Sequence, residues 1–143
     1  MPKNSKQVKL NSAGIVADWL QNNPQQHPPQ VMLAGILKEL SEPTVQTKQI
    51  GNTLFEVIMG KNDQAFFKAF NADTGPNFVD NSKQFCVWAR RVLNIKTLVT
   101  EFSDPSLERL FKIISMNPPI PGMGYQVFHT SNGSIRIALN LGG

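Results

Sequence analysis

The residues able to do covalent or proton-transfer chemistry are few. The 143-residue chain has one cysteine, Cys86, and two histidines, His27 and His129. Cys86 stands in the apolar run Phe85-Cys-Val-Trp88, where a thiol behaves as a small buried hydrophobe. His27 lies in a Pro/Gln-rich stretch and His129 in a strand-like one. Neither is spaced to pair with Cys86 or to form a ligand pair on a helix. A single cysteine excludes an intramolecular disulfide and a cysteine-based metal site. Pro121-Gly-Met-Gly124 has glycines but not the Lys-Ser/Thr of a phosphate-cradling loop. The motifs therefore predict no catalytic residue, no metal and no cofactor.

Two short signatures invite comparison. Ala72-Asp-Thr-Gly75 resembles the segment around the catalytic aspartate of aspartic proteases. That chemistry needs two carboxylates sharing a proton on β-loops, and here a Phe-rich segment read as a helix precedes the motif. Leu139-Asn-Leu-Gly-Gly143 is similar to the tail of ubiquitin-like proteins, but the strand-rich pattern of that family is missing upstream. A segment from Thr44 to Lys61 followed by a distant C-terminal hairpin also resembles a winged-helix DNA-binding domain, with Thr47 standing where a small residue is usual.

The surface chemistry points elsewhere. Charged residues make up 17% of the chain, and the net charge is +4. Lys3, Lys6 and Lys9 supply three of the fourteen basic residues, so the body without them is close to neutral. A nearly neutral body attracts phosphate only through that tail or a local cluster. One such cluster is predicted on a helix whose core stripe is Phe85, Trp88, Ala89 and Val92, with Lys83, Arg90 and Arg91 on the opposite arc. Arg136 would extend it. Asn and Gln dominate the remaining polar surface, which suits packing against copies of the chain.

The elements that must position these groups follow from periodicity and punctuation. Asn11 or Ser12 caps a helix ending at Asn22-Asn23-Pro24, and Pro29 opens a second carrying Met32, Leu33, Ile36, Leu37 and Leu40. A third is expected from Thr44 to Met59, a short fourth over Phe66–Phe70 with Phe67 off its stripe, and a fifth from Asp80 to Asn94. Ile95–Phe102 is ambiguous and leans helical. Asp104-Pro105 restarts a helix carrying Leu107, Leu110, Phe111 and Ile114. Asn132-Gly133 then predicts a type I′ hairpin with Phe128 opposite Ile137 and Gln126 opposite Leu139.

The expectation is an α+β domain, mainly α, of about six helices followed by a C-terminal hairpin. Residues 1–10 form a basic tail, and 11–143 form one domain with the hairpin region at 118–143. Its leading function is a non-catalytic assembly or nucleic-acid-associated protein, binding RNA or DNA through Lys3, Lys6, Lys9, Lys83, Arg90, Arg91 and Arg136 and self-associating. The alternative is a protein-binding adaptor, inhibitor or immunity-type partner using Phe67, Pro118, Pro121, Ile135 and Ile137. A further alternative is a small enzyme whose pocket gathers His129, Tyr125 and Glu101 or Asp104. No stretch is apolar enough to span a membrane, and no signal-peptide core opens the chain, which suggests an intracellular location.

Overall fold

The computed structural model describes residues 9–103 and 107–142. The first two helices stand where the punctuation places them: α1, Ser12–Asn22, is capped by Asn11, whose side chain accepts from the Gly14 N–H, and α2, Pro29–Leu40, starts on proline. After that the expectation of a mainly helical domain fails. Among the described residues there are four helices and a six-stranded mixed sheet.

The segment expected to be the third helix is instead a hairpin of β1, Val45–Ile50, and β2, Thr53–Met59, in antiparallel register with Ile50 opposite Thr53. Gly51 at φ +57° opens the two-residue turn that this register requires. Leu54, Phe55 and Val57 are all buried because β2 is covered on both faces. Such a strand reads as a continuous apolar run, without the alternation that normally betrays a strand.

Asn62 and Asp63, both at positive φ, turn the chain into β3, Gln64–Asn71. This replaces the expected fourth helix. Phe66, Lys68 and Phe70 alternate with Ala65, Phe67 and Ala69, so the residue that sat off the helical stripe was marking a period of two. The fifth helix exists and starts earlier, as α3, Gly75–Arg91. Thr74 caps it and Pro76 lies in its first turn, where a missing N–H costs nothing.

Ile95–Phe102 resolves to a strand, β4, Thr97–Phe102. The next helix, α4, spans Glu108–Met116, while the restart signal at Asp104 lies outside the described residues. The hairpin is present as β5, Gly124–His129, and β6, Ile135–Asn140. Its register differs by one residue from the expected one: Val127 faces Ile137, Tyr125 faces Leu139 and Phe128 faces Arg136. The cause is a longer connection, in which the Thr130 hydroxyl bonds Asn132 and Ser134 and only Gly133 has positive φ.

The strands line up as β1-β2-β3-β4-β6-β5. Every neighbouring pair is antiparallel except β3 and β4, which α3 connects as a parallel crossover. Alternation divides the core between the two faces. Phe55, Val57, Ala65, Leu98, Ile135, Ile137 and Leu139 meet α3 and α4 on one side, with the Phe55 and Phe85 rings stacked at 4.1 Å. Leu54 and Phe70 meet Ile15, Val16 and Leu20 of α1 on the other.

Candidate active site

The parallel pairing of β3 with β4 is short, joining only Gln64–Phe66 to Thr97–Val99. Beyond it the two strands part, and the backbone groups on their facing edges from Phe67 and Thr100 onward fall outside that ladder. A cleft of about 580 Å³ opens there, within the size range of small-molecule sites. Its position also fits the general behaviour of open sheets with parallel strands, which bind ligands beyond the carboxyl ends of those strands.

The cleft walls are mainly apolar. Phe67, Phe85, Phe102, Leu110, Phe111 and Ile114 line one side of the sheet, and Trp19 and Phe70, packed edge to face at 5.1 Å, line the other. Among the lining residues one carboxylate, Glu101, and one ammonium, Lys68, carry charge. Glu101 Oε1 receives a hydrogen bond from Arg136 Nε at 3.3 Å, which holds the carboxylate against β6. Lys68 Nζ lies 3.3 Å from Glu39 Oε2 of α2. On α3, Ser82 lines the cleft with a buried hydroxyl that has no hydrogen-bond partner among the described residues. Cys86, one turn further, is a neutral thiol whose pKa burial pushes up to about 12.

Next to the cleft lies a buried acid that the sequence reading did not find. Glu56, on β2 opposite Lys68, is 0% exposed, and neither of its carboxyl oxygens has a hydrogen-bond partner among the described residues. Burial, and then the neighbouring Glu39, raise its pKa to about 7. Glu39 moves the other way, lowered chiefly by Glu56, partly offset by its own burial, and lowered further by Lys68. A lone acid inside Leu54-Phe55-Glu56-Val57 was the available signal, hidden because the segment was read as a helix with a polar side.

A network of polar side chains locks the loop that ends β3. Asp73 Oδ2 accepts from the Asn52 N–H at 2.8 Å and from Asn81 Nδ2 at 2.7 Å, and Asn81 also donates to Thr53 Oγ1. Asn71 bridges Thr53 Oγ1 and the Asp73 N–H. Gly51 is required here, since a Cβ would stand 2.8 Å from Asp73 Oδ2. The Ala72–Gly75 signature is thus a strand-to-helix loop in which Asp73 plays a structural part.

The structure disperses the residues proposed for nucleic-acid binding. Lys3 and Lys6 lie outside the described residues, and Lys9 is exposed. Lys83, Arg90 and Arg91 do share α3, but Arg90 Nε donates to the Gly142 carbonyl and its guanidinium also reaches Asn94. Arg136 points to the other face of the sheet with Glu101, so it does not extend the arc. Of the protein-binding set, Ile135 and Ile137 are core residues at 5% and 0% exposure, and Phe67 packs on Phe85 and Phe111 inside the cleft. Pro118 and Pro121 are exposed in the link between α4 and β5. The pocket expected to gather His129, Tyr125 and Glu101 contains only Glu101: Tyr125 packs against Phe111, and His129 is exposed at the end of β5.

No protein-family model matches the chain, and no curated protein matches its sequence. Solved structures do match its fold. A single-residue variant of spermidine N-acetyltransferase SpeG from Vibrio cholerae superposes with a TM-score of 0.61 at 10% identity, covering 94% of each chain. The N-acetyltransferase PseH of Campylobacter jejuni gives 0.59 at 12% identity over 92% of each chain. The ribosomal-protein-S18-alanine N-acetyltransferase of Escherichia coli gives 0.55 at 11% identity over 95% of this chain and 93% of its own.

The four helices and mixed sheet are therefore the GNAT acetyltransferase fold. That finding corrects the functional expectation as well. The expected non-catalytic nucleic-acid-associated protein is contradicted by a fold shared with solved N-acetyltransferases. No helix among the described residues is long and apolar enough to cross a membrane.

Proposed function

We propose that the chain is a small N-acyltransferase that moves an acyl group from a thioester to an amine in the cleft between β3 and β4. The observation that carries this reading is the parting of one parallel strand pair in a sheet otherwise antiparallel, placed in a fold shared with N-acetyltransferases. The neighbours include a spermidine N-acetyltransferase and a ribosomal-protein-S18-alanine N-acetyltransferase, and an amine is the acceptor class proposed here.

The chemistry asks little of the protein beyond positioning. The amine nitrogen attacks the thioester carbonyl carbon, a C–N bond forms and the oxygen takes up negative charge. Backbone N–H groups on the parted edges of β3 and β4 are oriented donors of the kind that stabilise such charge. The C–S bond then breaks, the thiolate leaves and takes up a proton, and the amine loses one. Glu101, the carboxylate of the cleft, is assigned as the base that accepts the amine proton, with Arg136 as its positioning residue. The apolar walls exclude water, which would otherwise hydrolyse the donor.

Incubating the chain with acetyl-coenzyme A or S-acetyl-pantetheine and a panel of amines, including polyamines and peptides with free N-termini, tests this reading. Amide product by mass spectrometry, with stoichiometric thiol release, is expected. Glu101→Gln should lower kcat/KM about 100-fold or more, within the usual contribution of a general base. Amide formation unaffected by that change would remove Glu101 from its role, and no amide from any amine would refute the activity.

The expected self-association belongs to the same proposal. SpeG has a dodecameric structure, and here β5 is a sheet edge with Phe128 49% exposed. A free edge bearing an aromatic side chain is a template for pairing. Light scattering should report an oligomer that Phe128→Glu dissociates; a monomeric parent chain would end the idea.

A further inference from the structure

We propose that the acyl donor of this cleft is gripped by its apolar arm and that the described residues hold no anchoring site for a diphosphate. The inference rests on the acyltransferase reading and specifies its donor. Coenzyme A, a common acyl-group carrier, holds its thiol arm on a nucleotide diphosphate. Beside a parted parallel pair, the natural seat for such a group is the N-terminus of the crossover helix, where free N–H groups and the helix dipole favour negative charge. In this chain that seat is the start of α3, directly after β3.

The residues there do not fit an anion. Pro76 has no N–H, Asn77 gives its N–H to Thr74 Oγ1 at 3.4 Å, and the Phe78 N–H goes to the Thr74 carbonyl at 2.8 Å. Of the N–H groups at this helix opening, those of Thr74 and Gly75 alone are left without a partner among the described residues, too few to cradle a diphosphate. Asp73 adds a negative charge two residues before the helix, and its hydrogen bonds to Asn52 and Asn81 prevent it from swinging away. From Ala69 to Ser82 the chain carries Asp73 and Asp80 and no lysine or arginine. Lys9 borders this loop through Leu10, whose N–H bonds Asn52, and makes no ion pair with Asp73.

The cleft itself is built for the opposite kind of contact. Its aromatic and aliphatic walls suit an extended, uncharged thioester arm far better than a polyanion. The donor class that follows is an acyl thioester on a short arm of the pantetheine type, free or carried on a protein.

Calorimetric titration of the full chain with pantetheine and with coenzyme A, at 0.05 and 0.5 M NaCl, tests the assignment, together with turnover of their S-acetyl forms. Dissociation constants within about threefold of each other and insensitive to salt are expected. Asp73→Asn, which keeps both hydrogen-bond acceptances, should tighten coenzyme A at least fivefold and leave pantetheine unchanged. Coenzyme A favoured tenfold or more by the parent chain, with the preference fading in high salt, would overturn the proposal, as would binding of neither compound. Matched binding without transfer to any amine would instead remove the acyltransferase reading while the donor assignment stood.

Discussion

Glu56 is the residue whose environment departs most from what its chemistry prefers. Its carboxyl is fully buried on β2, has no hydrogen-bond partner among the described residues and keeps its proton up to about pH 7. In the unfolded chain the same group ionises near its ordinary value of 4.5. The folded state therefore binds the proton more tightly, and the associated stability is complete below about pH 4.5 and lost as the pH rises through 7. The loss is on the order of 3 kcal/mol. Glu39, lowered by the same pairing, contributes in the opposite sense, with stability that declines as acid protonates it. Denaturation of the parent chain should show stability falling between about pH 4.5 and 7, and Glu56→Gln should flatten that slope. Parallel profiles for the two proteins would assign the slope to other groups.

At the scale of elements, the two N-terminal helices, the body of α3, α4 and the C-terminal hairpin were legible because each carries chemical punctuation or a clean apolar stripe: Asn11, Pro29, the Phe85/Trp88/Ala89 stripe, Leu110/Phe111/Ile114 and Asn132-Gly133; the true start of α3 at Thr74 with Pro76 was missed in favour of Asp80. The sequence concealed β1 to β4, for two physical reasons. A strand covered on both faces loses the alternation that identifies it, as Leu54, Phe55 and Val57 illustrate. The turn residues Gly51, Gly60, Asn62 and Asp63 serve helix ends as well as hairpins. The site was almost illegible for the same reason, since a cleft formed by two strands parting cannot be seen until the strands are. Of its lining residues only Glu101, as an enzyme candidate, and Phe67, as a protein-binding one, were named in advance as functional.

The hairpin also shows how element identity changes a mutational expectation. Read as a free edge, Ala138 would accept proline and merely lose a partner. In the sheet Ala138 lies between Val99 of β4 and Gln126 of β5, in an interior strand. Proline there removes a ladder N–H and strains the strand. Ala138→Pro should fail to fold, with the strand signature lost in circular dichroism; a folded monomer would mean that β6 is not interior.

Across the whole molecule, the sheet is two antiparallel halves: β1-β2-β3, which α1 and α2 cover, and β4-β6-β5. They share one three-residue parallel seam and the large core cluster, in which Phe55, Val57 and Phe85 of the first half meet Ile137, Leu139 and Leu141 of the second. Among the described residues the first half has a second cluster of its own under α1, whereas the second half has only the shared one. Hydrophobic burial is the main favourable term in joining such parts. Fragments 1–93 and 94–143 are therefore expected to re-form the native sheet when mixed, the first partly ordered alone and the second not. Circular dichroism of the separate and mixed fragments decides this, and a fully ordered second fragment would contradict it.

That short seam has a bearing on evolution by recombination. Where a sheet is continuous in hydrogen bonds, replacing one half demands a matched ladder along a whole strand. Here the halves must agree on three residue pairs, Gln64–Phe66 with Thr97–Val99, and on a few bonds beside them, the Lys96 and Thr97 N–H groups to the Asp63 carbonyl, the Ile95 N–H to the Ala89 carbonyl and Arg90 to the Gly142 carbonyl. Much of their remaining contact is a tolerant apolar surface, so either half can be exchanged for a diverged counterpart while the gap between them, and whatever it holds, is kept.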